Sequence, residues 1–302
     1  MTNLNGRLYA VRHDGTLLAR LPGGRRCAVG TARVGAGHAD RAGRLGGQAV
    51  PGQHGRRAAL AGRDTVAAMG PLFVLIHSPS VGPATWTPVA RELAERGHEA
   101  LVPSLVHVGA GAPPAWRHVA AAVAGALADV PPDRGVILVA HSNAGLFVPV
   151  VRKAVRQPVA ASVFVDALVP ARQGATPATE DEFLASLKGL AGPDGRLPRW
   201  TDWWGDEDIA PLFPDEETRR VVTEEQPRLP LSYFEQAVPV PDGWADHPCV
   251  YVLFGPAYER VAAEARARGW SVRHIPGEHL HQIVDPAAVA EELISVVTAP
   301  RS

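Results

Sequence analysis

Val136-Ile137-Leu138-Val139-Ala140-His141-Ser142-Asn143-Ala144-Gly145 is the stretch on which the reading of this chain turns. Five apolar residues, three of them β-branched, are too few for a helix and suit a buried strand. They run directly into a serine flanked by small residues. From Leu146 to Val155 the chain is again mostly apolar and helix-compatible, with Pro149 tolerable only near a helix start. A buried strand ending in a serine on a tight turn before a helix is the way a hydroxyl is exposed for nucleophilic attack. Such a turn is sharp, so the residues two before and two after the serine must be small. Ala140 and Ala144 meet that need, and Gly145 follows one step later. Taken alone, a serine after a strand reads first as a helix N-cap. The rest of the chain decides between the two.

Outward from this stretch, strands and helices alternate. Leu72 to Ile76 is an apolar strand that ends at His77-Ser78-Pro79-Ser80-Val81-Gly82-Pro83. A helix is expected from about Thr85 to Arg96, with Trp86, Val89 and Leu93 on one face and Gly97 as its stop. A short strand at Ala100-Leu101-Val102 and an Ala-rich helix from about Trp116 to Asp129 come before the central stretch. After it come Ala161 to Val165, ending at Asp166, then Val250 to Phe254, a helix to Arg268, Ser271 to Ile275, and a closing helix from about Ala287 to Val297. Alternation with short loops implies an α/β fold built on a mostly parallel, doubly wound sheet. The pattern breaks between residues 171 and 245. This insert holds eight aromatic residues, from Phe183 to Trp244, with many acids and prolines. It reads as a helical cap supplying apolar walls to a pocket at the carboxyl edge of the sheet. A plain packing layer is the alternative. The core would then comprise residues 69–170 and 246–302.

Residues 1–68 are different. Eleven arginines against three acids give this segment +8; the whole chain carries −1, so the remainder carries −9. The segment also has 13 of the 30 glycines and a single aromatic side chain among Phe, Trp and Tyr, Tyr9. Too little apolar surface is available to offset the entropy of ordering it. A disordered extension is expected, translated from upstream of a start at Met69, with at most a weak hairpin between Leu8–Val11 and Thr16–Ala19. It has no apolar run of the secretory type. For the chain as a whole, near-zero net charge argues against a nucleic-acid partner. No apolar run approaches the ~18–20 residues of a membrane span. Two cysteines and no CxxC fit a reducing, cytoplasmic setting with neither a disulfide framework nor a zinc site. A small-molecule substrate and no cofactor are expected.

Three motifs in order carry a resemblance: the His77 turn, the Ser142 turn, and Gly277-Glu278-His279-Leu280-His281 before Asp285-Pro286. Over residues 71–298 the chain resembles the α/β-hydrolase superfamily. That resemblance implies a triad in the chain order serine, acid, histidine. Ser142 would be the nucleophile and His279 its general base, with His281 the competing histidine. His141 is expected to turn away from Ser142. The acid is open between Asp166 and Glu259, because Tyr258 stands where the superfamily usually has aspartate; Asp166 is preferred. The oxyanion donors would be the backbone N–H of Asn143 and, because Pro79 has none, that of Ser80 or Val81. The implied activity is a serine hydrolase cleaving an ester-like bond of a small or medium apolar substrate through an acyl-enzyme. A non-hydrolytic enzyme of the same fold (a lyase or cyclase) and a receptor-like binding protein with little turnover are the alternatives.

Overall fold

The computed structural model describes residues 9–11, 17–19 and 70–298. The expected disorder of residues 1–68 and the start at Met69 therefore fall largely outside the described residues. The described residues hold ten strands: β1 (Tyr9–Val11), β2 (Leu17–Ala19), β3 (Leu72–Ile76), β4 (Ala100–Val102), β5 (Val136–His141), β6 (Val159–Val165), β7 (Gly174–Pro177), β8 (Ala237–Val240), β9 (Cys249–Leu253) and β10 (Ser271–His274). The helices are α1 (Thr87–Glu95), α2 (Ala115–Ala126), α3 (Val148–Ala154), α4 (Asp181–Leu190), α5 (Asp206–Ile209), α6 (Glu216–Glu225), α7 (Glu259–Ala267), α8 (His281–Val284) and α9 (Pro286–Thr298).

One sheet has the order β10-β9-β6-β5-β3-β4-β1-β2. From β10 to β4 every pairing is parallel; β1 joins β4, and β2 joins β1, antiparallel. The expected hairpin in the arginine-rich arm is thus present as two three-residue strands at the sheet edge. The sheet is parallel because helical crossovers separate its strands, and both its faces are covered, so β3 and β5 are buried at every position. On one face Phe73 and Leu75 meet Trp86, Val89 and Leu93 of the α1 segment and Val289 and Leu293 of α9. On the other, Val74 and Ile76 meet Val119 and Val123 of α2 and Val151 of α3. Each such side chain contributes roughly 1.5–3 kcal/mol through burial. Gly97, at φ 83°, ends the first helix as its sequence suggested.

Strand order reverses at β3: the chain first goes to β4 on one side, then crosses to β5 on the other. In a doubly wound sheet, the carboxyl ends at such a reversal leave a crevice. The insert lies over it. It is not purely helical. β7 and β8 pair antiparallel as a small ribbon, Gly174 opposite Val240. Between them lie α4, α5, α6 and single 3₁₀ turns. Neither ribbon strand alternates apolar with polar residues, and both contain proline, so no local signal announces them. The insert is continuous with the core: Leu187, Leu229, Tyr233 and Val238 belong to the apolar cluster under the sheet. The Glu225 carboxylate accepts the Ala84 N–H at 2.7 Å, tying α6 to the turn after β3.

Candidate active site

Ser142 begins where β5 ends, and its backbone has φ 58°. A non-glycine residue in that left-handed region is held there at a cost of about 1–3 kcal/mol and tends to mark function. The turn is held by close packing. Ala140 and Ala144 are completely buried. A Cβ built on Gly145 would overlap the Leu168 carbonyl oxygen, so the loop after β6 can close on the turn only over glycine. The Leu168 N–H donates to the Ser142 carbonyl at 3.0 Å.

Asp166, one residue past β6, is the other described non-glycine residue at positive φ, 43°. Its carboxylate is 1% exposed and makes two bonds. Oδ1 accepts the Phe254 N–H at 3.0 Å, and Oδ2 lies 2.7 Å from His279 Nδ1. His279 Nε2 is in turn 3.0 Å from Ser142 Oγ. The three side chains come from the ends of β5 and β6 and from the loop after β10, and they meet in one line of hydrogen bonds. The proton on Nδ1 that the carboxylate requires leaves Nε2 as the acceptor facing the hydroxyl.

The alternatives fall elsewhere. Glu259 is exposed and pairs with Arg266 at 2.9 Å. His281 packs edge-on against Phe254, ring centres 5.5 Å apart. His141 donates from Nε2 to the His279 carbonyl at 2.8 Å, and burial pushes its pKa well below the ordinary imidazole value, so it is a neutral prop. His77 does similar work. Its Nε2 accepts the Leu105 N–H at 3.0 Å, which leaves Nδ1–H to donate to the Ser78 carbonyl at 2.8 Å. Burial pushes its pKa down to about 4. On the same turn, the Val81 N–H is used internally, donating to the Ser78 carbonyl at 3.0 Å. The Ser80 N–H donates a longer bond, to Ser78 Oγ at 3.4 Å.

The side-chain contacts of two neighbours escape a reading of the sequence. Tyr258 stacks flat on His279, with ring centres 4.9 Å apart and planes 4° from parallel, and its hydroxyl is 3.5 Å from Ser142 Oγ. The one available signal was its occupation of a position where aspartate was expected. The Asn143 side chain is held at both ends by the insert: Nδ2 donates to the Ala178 carbonyl at 3.0 Å, and the Tyr233 hydroxyl donates to Oδ1.

Ser142, His279, Ser78 and Ser80 open into a cavity of about 930 Å³ walled by Leu146, Phe183, Trp200, Trp203, Ile209 and Phe234, among others. That volume suits a small or medium organic ligand, and the aromatic insert supplies much of its apolar wall. A separate groove of about 670 Å³ beside Arg152, Lys153 and Trp244 includes none of these site residues.

A sheet of this order, with a nucleophile-type turn at the end of a central strand, defines the α/β-hydrolase class. The model of the Alpha/beta hydrolase family matches residues 73–292, and the chain belongs to that family. Among solved structures it is similar to an extracellular α/β-hydrolase from a Paenibacillus species, described as sharing structural and functional homology with tobacco salicylic acid binding protein 2. The two are 17% identical over 75% of this chain and 98% of the other, TM-score 0.60. It is also similar to polyneuridine aldehyde esterase (16% identity, 76% and 99% covered, TM-score 0.57). A third similar structure is tomato methylketone synthase I complexed with 2-tridecanone (15% identity, 76% and 98% covered, TM-score 0.59). At these identities the likeness concerns the fold. No curated protein sequence matches the chain.

Proposed function

We propose that this chain is a serine hydrolase that cleaves an ester-like bond of a small or medium apolar substrate by acyl transfer. The observation that carries the reading is the continuous contact from Ser142 Oγ to His279 Nε2 at 3.0 Å and from His279 Nδ1 to Asp166 at 2.7 Å. A serine hydroxyl is a weak nucleophile at neutral pH and needs a base at this distance. Ser142 Oγ attacks the substrate carbonyl while its proton passes to His279 Nε2. Asp166 fixes the tautomer and steadies the imidazolium without taking the proton. The tetrahedral oxyanion takes hydrogen bonds from the Asn143 N–H and, as the second donor, from the Ser80 N–H. His279 then returns the proton to the leaving-group oxygen, leaving an acyl ester on Ser142. A water, deprotonated by the same imidazole, releases the acid and restores the hydroxyl. Removal of one oxyanion donor typically costs ~10²–10³ in kcat.

The apolar, aromatic wall of the cavity favours a substrate with an apolar acyl or alcohol group. The same residues could serve a non-hydrolytic reaction if water were excluded, and the likeness to a methylketone synthase keeps that reading in view. Incorporation of labelled oxygen from water into the acid product separates the two.

The primary test is labelling by a fluorophosphonate probe, with the modified residue located by mass spectrometry. The label is expected on Ser142 and is expected to disappear in His279→Ala. Labelling that survives that change would remove His279 from its assigned role. Turnover of short aryl esters that persists in Ser142→Ala would end the proposal.

A further inference from the structure

We propose that Tyr258 is a further catalytic residue of this site: its ring face supports the imidazolium that His279 becomes, and its hydroxyl donates a hydrogen bond at the Ser142 oxygen. The inference rests on the acyl-transfer reading above. Tyr258 closes the 3₁₀ turn Pro256–Tyr258 after β9, and α7 begins at the next residue. That places its ring against a histidine from a different loop. At 4.9 Å between centres and 4° between planes, the two rings stack in parallel with an offset. A neutral imidazole gains little from such a stack. An imidazolium gains cation–π attraction, because the electron-rich face meets the positive charge. His279 acquires its charge only as the Ser142 proton moves onto it, so the attraction is stronger in the transition state than before it. An interaction of that kind raises the rate rather than merely tightening binding.

The other imidazole against the His279 ring cannot supply the same effect by charge. His141 lies 4.6 Å away and 34° from parallel, and burial keeps it neutral. The titratable groups in direct contact with His279 are Asp166 at the end of β6, His141 at the end of β5 and Tyr258; Glu180, Asp181, Asp208, Arg260 and Glu264 line the same cavity. The insert contributes Trp200, which does not titrate. The Tyr258 hydroxyl is 3.5 Å from Ser142 Oγ, the outer limit of a hydrogen bond. Burial pushes its pKa up to about 12, so it remains a protonated donor across the working range. It keeps its proton throughout; the mobile proton moves only between Ser142, His279 and the leaving group.

The experiment measures the fluorophosphonate labelling rate of the full chain against pH, for wild type, Tyr258→Phe and Tyr258→Leu. Wild-type labelling at Ser142 that His279→Ala abolishes tests the parent reading separately. An unlabelled wild type would overturn that reading before Tyr258 is reached. Tyr258→Phe keeps the ring. It is expected to slow labelling about two- to tenfold with the acid limb of the pH profile unmoved. Tyr258→Leu removes the ring as well. It is expected to slow labelling about ten- to hundredfold and to move the acid limb down by about half a unit to one and a half units, because the imidazolium loses its support. A merely structural tyrosine would lower the rate without moving the limb. A Tyr258→Leu limb that coincides with wild type, or a Tyr258→Phe limb displaced as far as that of Tyr258→Leu, would overturn the role of the ring. An unchanged rate in Tyr258→Phe would overturn that of the hydroxyl, and this arm stands even where Tyr258→Leu fails to fold.

Discussion

Asp166→Asn is the most discriminating single change. The substitution is nearly isosteric, and asparagine tolerates the positive φ of 43° at this position about as well as aspartate, so the backbone has no reason to move. The loss lies in what the side chain can accept. The carboxylate accepts two hydrogen bonds, one from the buried Phe254 N–H at 3.0 Å and one from His279 Nδ1 at 2.7 Å. An amide has one oxygen. The Phe254 N–H is a fixed donor and cannot change character, whereas an imidazole can change tautomer. The oxygen therefore stays on Phe254, and the amide N–H₂ turns to His279 Nδ1, which must become the acceptor. That moves the ring proton to Nε2, and His279 then presents a donor to Ser142 Oγ and cannot accept its proton. The equivalent change in a serine-protease triad drops kcat by about 10⁴, a barrier increase of about 5.4 kcal/mol. Initial rates on a short aryl ester, with the fluorophosphonate labelling rate as a second readout and a thermal melt as the folding control, measure the effect. Glu259→Gln is the matched control and is expected to stay within about twofold, since that carboxylate is exposed and bonded to Arg266. A folded Asp166→Asn enzyme within tenfold of wild type, or a Glu259→Gln loss as large as that of Asp166→Asn, would refute the reasoning.

Gly145→Ala forces a Cβ onto the Leu168 carbonyl oxygen. It is expected to lose at least ~2 kcal/mol of stability in urea denaturation, and a loss below ~0.5 kcal/mol would show that the turn can open. Tyr233→Phe deletes the hydroxyl that bonds Asn143 Oδ1. It is expected to cost about 1 kcal/mol, read as a lower urea midpoint with unchanged slope; no shift would mean that the bond contributes nothing net. Stability should also fall with acid before the carboxylates titrate. His77, completely buried, has its pKa pushed from 6.5 down to about 4, so the unfolded chain binds the extra proton first. Its contribution is intact above pH 6.5 and is lost as pH falls toward 4, amounting to about 2 kcal/mol between pH 7 and pH 5. His141 and His247, also pushed down by burial, add to the wild-type difference with the same sign, so unfolding titrations at the two pH values should show the difference shrink by about this amount in His77→Gln; an equal difference in the variant would contradict the assignment.

What the sequence revealed follows from how locally each feature is determined. The β5 run, the small residues around Ser142 and the glycine stop at Gly97 are short-range matters of sterics and burial, and each is readable from its immediate neighbours. Asp166 could be weighed against Glu259 because it ends the strand after the elbow helix, and the parallel β5–β6 pairing carries both strand ends to the same edge. Tyr258 was visible only as an anomaly. Its stack on His279 needs the loop after β9 to meet the loop after β10, and nothing in either segment encodes that distance. The β7–β8 ribbon was missed for a similar reason: its prolines and absent alternation argue against strands, and only pairing between residues sixty or more apart makes them so. The Ser80 N–H depends on the aim of a single bond within a turn, which no residue pattern specifies.

The double hold on Asn143 has a consequence for traffic through the cavity. Because Ala178 and Tyr233 grip the residue immediately after the serine, the insert can hinge away as a rigid door only by breaking both bonds or by dragging the elbow with it. Passage is left to the exposed rim, where Trp204 stands over Phe183 and Arg260 meets Glu180 in solvent. Exposed side chains there rearrange in picoseconds to nanoseconds, far faster than the microseconds to milliseconds of a swinging domain. Turnover paced by bond-making rather than by door-opening should be indifferent to a thickened solvent, and kcat measured in rising sucrose would reveal a hidden gate if it declined.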